Sequence, residues 1–189
     1  MPIATTNPVP LNAPARVDST KLLFSMPVPF VSQEPNQYRN LCWAACGAMI
    51  LRYKNFNVQL SDVVFRTQEW LGNPNCTPAR CDEDLEPWLV YKAFGFGYDR
   101  VRDLPLAPDN VEQLVRARIP IEVYWKWNNG GGHVVLIVGL YADGDLQIFD
   151  PEKSYNPPQS GDKLPYDEVL CAVGNRGSWQ DTLTNFVPP

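Results

Sequence analysis

The stretch LCWAACGAMILRYK, residues 41–54, decides how this chain folds. Cys42, Ala45, Cys46, Met49, Ile50 and Tyr53 recur at i, i+3, i+4 and i+7, a wide apolar stripe that predicts a buried helix, with Asn40 placed to cap it. A buried helix needs a layer to pack on, and the rest of the chain supplies one. Upstream, MPVPFV (26–31) is kept extended by Pro27 and Pro29. Downstream, helices are expected at 61–72 behind Ser61, at 82–94, and at 110–117 behind Asn110. The period then changes from helical to alternating. Ile119, Ile121, Val123 and Trp125 read as a strand, HVVLIVGLY (133–141) as a second, and LQIFD (146–150) as its return across the turn at Ala142–Asp145. YDEVLCAVG (166–174) reads as one more strand. Helices first and strands later make an α+β domain, a helical layer on an antiparallel sheet.

The 189 residues suit one domain, expected over 26–176, with an extended or disordered lead-in at 1–25 and a C-terminal tail at 177–189. The 16 Lys and Arg against 21 Asp and Glu leave a formal charge of −5, which argues against a nucleic-acid groove or an anionic membrane surface. No apolar run reaches the roughly 20 residues that span a bilayer. The N-terminal stretch lacks the basic start and apolar core of a secretory signal. Five cysteines, an odd number, invite a search for one reactive thiol, and the one histidine, His133, limits any imidazole chemistry to a single place. The cysteine spacings, with no second histidine, argue against zinc, and no cofactor is expected.

Cys42 falls in the first turn of the predicted helix, where free N–H groups and the helix dipole favour a thiolate. Taken alone it reads equally well as a small buried hydrophobe. Cys46, one turn later, has lost that field and reads as packing. His133 opens a strand directly after Gly130, Gly131 and Gly132, which suggests the edge of a cleft. Asp150 ends the returning strand before Pro151 and is either a plain strand stop or the acceptor that orients His133. A hairpin centred on Asp143-Gly144 sets Asp150 opposite Ile137, on the face His133 shares but four residues away along the strand. A bulge, twist or bend has to close that gap. Cys76 and Cys81 enclose four residues, so a local disulfide is expected in an oxidising compartment.

Gln33 followed eight residues later by CWAAC (42–46), then Gly132-His133-Val134-Val135, then Ile148-Phe149-Asp150-Pro151, resembles the papain-like cysteine peptidases. Within them the chain is similar to the compact bacterial branch that includes effector proteases delivered into plant cells; VPFVSQ (28–33) and GAMIL (47–51) extend the likeness, which covers roughly 26–174. The resemblance implies a papain-like fold and a monomeric, secreted or delivered cysteine endopeptidase acting on protein or peptide substrates. In it Cys42 attacks the scissile carbonyl, His133 serves as base and then acid, and Asp150 holds His133. Gln33, or its competitor Gln37, donates to the oxyanion beside the Cys42 N–H, and Trp43 packs behind the nucleophile. A papain-fold acyltransferase or deamidase would use the same triad, and a catalytically silent binding module is expected to have lost one of its members.

Overall fold

The computed structural model describes residues 18–33 and 38–189. The predicted first helix is there as α1 (Cys42–Tyr53), buried along its whole length from Cys42 to Leu51. It lies against α2 (Leu60–Trp70), α3 (Trp88–Phe94) and the sheet. The helices α4 (Pro108–Arg116) and α5 (Tyr166–Leu170) pack on the sheet as well, α5 on the face that Trp125 presents and α3 on the face that Glu122 presents. Strands β1 (Leu22–Ser25), β2 (Gly97–Arg102), β3 (Ile121–Trp127), β4 (Gly132–Tyr141), β5 (Leu146–Phe149), β6 (Asp162–Leu164) and β7 (Gly177–Val187) form one antiparallel sheet. Its order is β2-β7-β3-β4-β5-β6, with β1 beside β4. The expected α+β arrangement is therefore what the chain adopts.

Several boundaries differ from expectation, each for a local reason. Asn40 does not cap α1: Leu41 is the residue before the helix, and the Asn40 amide instead donates to the Asp82 carbonyl at 2.9 Å. Helix α2 starts at Leu60 rather than behind Ser61, because Gln59 and Asp62 form a reciprocal capping box. Helix α3 begins only at Trp88; Pro87 precedes it, and the acidic run 82–86 stays non-helical. Helix α4 starts at Pro108, whose missing N–H costs nothing in a first turn. The segment 166–174 is helical at α5 and then turns through positive φ at Ala172 and Val173, so it is not a strand.

The largest correction concerns both ends of the domain. Leu22–Ser25 is strand rather than lead-in, and the Met26 N–H reaches the Val138 carbonyl at 2.8 Å. The supposed tail at 177–189 holds β7, which runs between β2 and β3 inside the sheet. Its many Thr, Gln, Asp and Asn residues hide a buried strand, because the inward polar groups find partners. Asp181 pairs with Arg100, and the Trp179 indole N–H donates to the Thr182 hydroxyl at 2.8 Å.

The hairpin β4–β5 positions the site. Its register is Leu140 with Leu146 and Gly139 with Gln147 near the turn, but Ile137 with Ile148 and Leu136 with Phe149 beyond a bulge at 137–139. Continuing that register puts Asp150 opposite Val135, two residues from His133 instead of the expected four. Gly139 makes the bulge tolerable: a Cβ there would lie 2.6 Å from the Phe24 carbonyl oxygen, so only glycine admits β1 so close.

Two outcomes follow from β7. Leu183, fully buried on it, should cost about 2–5 kcal/mol when truncated to Ala, read by urea denaturation. A chain ending at Arg176 should show no cooperative transition at all; a normal melt would mean that β7 is dispensable.

Candidate active site

Cys42 is the first residue of α1, and the helix's opening hydrogen bond runs from the Ala45 N–H to the Leu41 carbonyl at 2.9 Å. The Cys42 N–H therefore belongs to the orphan donors of a helix start. The chain just ahead is pinned from outside: Asp82 accepts the N–H groups of Arg39 at 2.9 Å and Asn40 at 2.8 Å. Trp43 is fully buried and donates its indole N–H to the Glu83 carbonyl at 3.0 Å, so it packs as expected.

His133 enters from the second position of β4, across from Trp125 on β3. Its ring stacks at 12° on Trp127, 6.0 Å between centroids, with Trp125 also 6.0 Å away. Gly132, just before it, lies against the Tyr124 ring; a Cβ there would come within 2.5 Å of the Tyr124 Cζ. Asp84, missed in the sequence, accepts the Gly132 N–H and holds the loop from the helical side.

The bulged hairpin delivers Asp150 to the imidazole: Nε2 lies 2.8 Å from Asp150 Oδ1. The same ring is hydrogen-bonded to Cys42. Since Nε2 serves Asp150, Nδ1 is left for sulfur, with Glu152 Oε1 3.7 Å from it at the cleft mouth. Cys42, His133 and Asp150 thus come together, although they arise from a helix, a strand and a strand end. Asp150 also accepts the Glu152 N–H at 3.0 Å and has Lys153 Nζ 3.8 Å from Oδ2. His133, Asp150 and Glu152 are the group, among the described residues, with ligand-type atoms close enough to share a metal ion, but the Nε2–Asp150 bond already occupies one of the ring nitrogens.

Gln33 is 2% exposed, its N–H donating to the Pro151 carbonyl at 2.9 Å, which seats it beside Asp150 in the fold. Its side-chain oxygen has no hydrogen-bond partner among the described residues. Gln37 lies outside the described residues. Cys46 is fully buried and donates its thiol to the Val134 carbonyl at 3.4 Å. Burial, with the Glu122 and Cys42 charges, pushes its thiol far above the ordinary range, so it stays protonated and inert. Cys76 and Cys81 are joined in a disulfide, and Cys171 is free.

Burial works against charge on His133, yet the hydrogen bonds to Asp150 and Cys42 and their negative charges outweigh it, raising its pKa from 6.5 to about 10. Burial likewise pushes Asp150 up, but its bond to His133, the imidazolium charge, the Glu152 N–H and Lys153 together hold it below the usual carboxylate range. The pair sets a buried cation on a partly buried anion. Beside it opens a cleft of about 230 Å³ lined by Trp125, Trp127, His133, Asp150, Glu152 and Arg176. Trp127 and Arg176 also border a neighbouring hollow of about 380 Å³ with Asn128 and Asn129.

The family described as papain-like cysteine protease AvrRpt2 matches residues 24–162. A crystal structure from Bacillus anthracis, described as a C39-like peptidase, superposes with a TM-score of 0.57 at 16% identity, covering 89% of this chain and 100% of its own, a likeness of fold. The Pseudomonas avirulence protein AvrPphB covers 86% of this chain and 98% of its own at 9% identity, with a TM-score of 0.34. No curated protein matches the sequence.

Because His133 is the one histidine, its Cε1–H proton gives one unambiguous NMR signal to titrate. A midpoint near pH 10 is expected, moving to lower pH in Asp150→Asn. A folded pKa above 6.5 means that the charged imidazole stabilises the fold fully below pH 6.5, and that this contribution is lost as pH rises through about 10. A wild-type midpoint near 6.5 would show that the ring does not share its charge with Asp150 and Cys42.

Proposed function

The chain belongs to the family of the papain-like cysteine protease AvrRpt2, and on that premise we propose that Cys42, His133 and Asp150 hydrolyse peptide bonds through a thioester acyl-enzyme. That the chain is a cysteine-type peptidase follows from the family; the division of labour within the site is our reading. One observation carries it: the chain's only imidazole bonds Asp150 at 2.8 Å through one nitrogen and Cys42 through its ring, with Cys42 at the first position of a buried helix.

In this scheme Cys42 sulfur, its proton held by His133, attacks the scissile carbonyl and forms the C–S bond. The carbonyl electrons move to oxygen, where the Cys42 N–H and the Gln33 side-chain amide donate hydrogen bonds. As the tetrahedral centre collapses, the C–N bond breaks and His133 passes its proton to the leaving amine. A water then gives a proton back to His133, its oxygen attacks the thioester, and the C–S bond breaks to return Cys42 and a carboxylate product. Asp150 keeps the imidazole in one orientation throughout and stabilises its cation.

The substrate is a protein or peptide, read on the leaving-group side by the cleft that Trp127, Glu152 and Arg176 border. Delivery out of the producing cell as an effector fits the family resemblance and the Cys76–Cys81 bridge, which persists in oxidising surroundings. No helix among the described residues is long and apolar enough to cross a membrane.

Cleaved termini from a peptide library should vanish with Cys42→Ala and with His133→Ala, while Cys46→Ala keeps most of the activity. Gln33→Ala should lower kcat by about 10²–10³, the usual cost of one oxyanion donor. Asp150→Asn should lose kcat on the order of 10–100-fold, by analogy with outer-shell partners of metal-bound histidines. Substantial turnover by Cys42→Ala or His133→Ala would sink the triad.

A further inference from the structure

The turn after Asp150 contains a residue with a double attachment. The Tyr155 hydroxyl accepts the backbone N–H of Asp150 at 2.9 Å and donates to Asp162 Oδ2 at 3.2 Å. Asp162 in turn takes Lys153 Nζ at 2.5 Å, so its carboxylate has a fixed place and a countercharge. With the hydroxyl proton committed to Asp162, a lone pair is left to face the Asp150 N–H. Burial above all keeps this phenol protonated, and the adjacent acids add to that. The ring has its own contacts. It meets Phe30 edge-on at 4.8 Å and Phe149 at 6.0 Å, and Phe30 meets Phe149 at 5.4 Å. Phe149 directly precedes Asp150, and Phe30 stands three residues before Gln33. The Pro151 carbonyl closes the same arrangement by accepting the Gln33 N–H at 2.9 Å and the Ser32 hydroxyl at 3.2 Å.

We propose that Tyr155 is a positioning residue for peptide hydrolysis, its hydroxyl setting Asp150 against His133 and its ring setting the Phe30–Gln33 segment that carries the oxyanion donor. The proposal rests on the triad reading above. It assigns separate work to the two parts of one side chain, which makes it separable by substitution. The hydroxyl acts through Asp150 alone. The ring acts through Phe30 and does not depend on Asp150 carrying a charge. Nothing in the sequence marks Tyr155 for this task, because its partners come from the strand end, from β6 and from the segment before Gln33.

The test is a mutant cycle with Tyr155→Phe, Tyr155→Leu and Asp150→Asn, singly and combined, measuring kcat, KM and the pH profile on one peptide substrate. Tyr155→Phe keeps the ring, so it should fold; its kcat should fall about 5–50-fold with little change in KM, in the range of outer-shell partners. The alkaline limb of its profile and the His133 NMR titration should both move to lower pH, because a displaced Asp150 holds the imidazolium less well. In the Asp150→Asn background Tyr155→Phe should cost less than about twofold, since the two changes remove one interaction. Tyr155→Leu should cost more than Tyr155→Phe, and the excess should survive in that background. Equal losses from Tyr155→Phe in both backgrounds, or none in the wild type, would overturn the proposal while leaving the triad intact. A fully active Asp150→Asn would instead remove the triad reading, and this proposal with it. Should Tyr155→Leu fail to fold by near-ultraviolet circular dichroism, the Tyr155→Phe arm decides the hydroxyl and Phe30→Leu decides the ring.

Discussion

The 2.8 Å bond between His133 Nε2 and Asp150 Oδ1 is the constraint on which the rest of the structure turns. It joins two neighbouring strands at a point where a regular hairpin would hold the groups apart. One bulge in β4 shortens the offset, and Gly139, at that bulge, is where β1 approaches from the other edge. The short strand from Leu22 to Ser25 is thereby part of the site's construction, although it lies far from the chemistry. An added Cβ at Gly139 would push on the Phe24 carbonyl, and relieving it means moving either β1 or the register that brings Asp150 home.

Two carboxyl groups, one partly and one fully buried, show how the surroundings set charge. Asp150 faces an imidazolium, a backbone N–H and a lysine, and burial loses to them, so it stays ionised. Glu122, fully buried on β3, has among the described residues only the Tyr91 hydroxyl at 2.7 Å, and its other oxygen has no partner there. Burial therefore raises it to about 8, and it spends the neutral range as a carboxylic acid. Burial above all keeps Cys46 a thiol, and Glu122 adds its charge only at alkaline pH, where it too has ionised. The two cysteines of α1 are thus set apart by the sheet below as well as by their distance from the helix start: one meets an imidazole, the other a buried acid.

Much of this was legible in the sequence wherever one residue's own periodicity or chemistry decided the outcome. The stripe from Cys42 to Tyr53 specified a buried helix, the alternation around 121–141 specified strands, and a lone histidine after three glycines specified the cleft edge. What could not be read was cooperative. Strand β7 is rich in polar residues, and its burial depends on Arg100 reaching Asp181 and on Trp179 reaching Thr182. The hairpin register turned on a bulge at 137–139 that no turn residue announces. Asp84 touches the site through Gly132, far away in sequence, and Tyr155 reaches Asp150 only because an irregular turn folds its hydroxyl back, so no periodic pattern exposes either.

On the proposed role of Cys42, the acidic run at 82–86 accounts for helix α1 carrying no side-chain cap of its own. An Asn, Ser or Asp cap satisfies first-turn N–H groups with a side-chain oxygen. Here such an oxygen would compete for the donors that an oxyanion needs, and a carboxylate would repel a thiolate at Cys42. Helix α1 has neither an acidic residue in its first turn nor a side-chain cap bond at Leu41. The fastening is moved outward instead. Asp82 grips the N–H groups of Arg39 and Asn40, Glu83 takes the Trp43 indole through its carbonyl and the Gln68 amide through its side chain, and Asp84 takes the Gly132 N–H across the cleft. One non-helical segment thereby locks α1 to β4 while leaving the Cys42 N–H without a partner among the described residues. The irregular backbone at 82–86, where the sequence pattern asked for helix, is what allows those three acids to face three different directions.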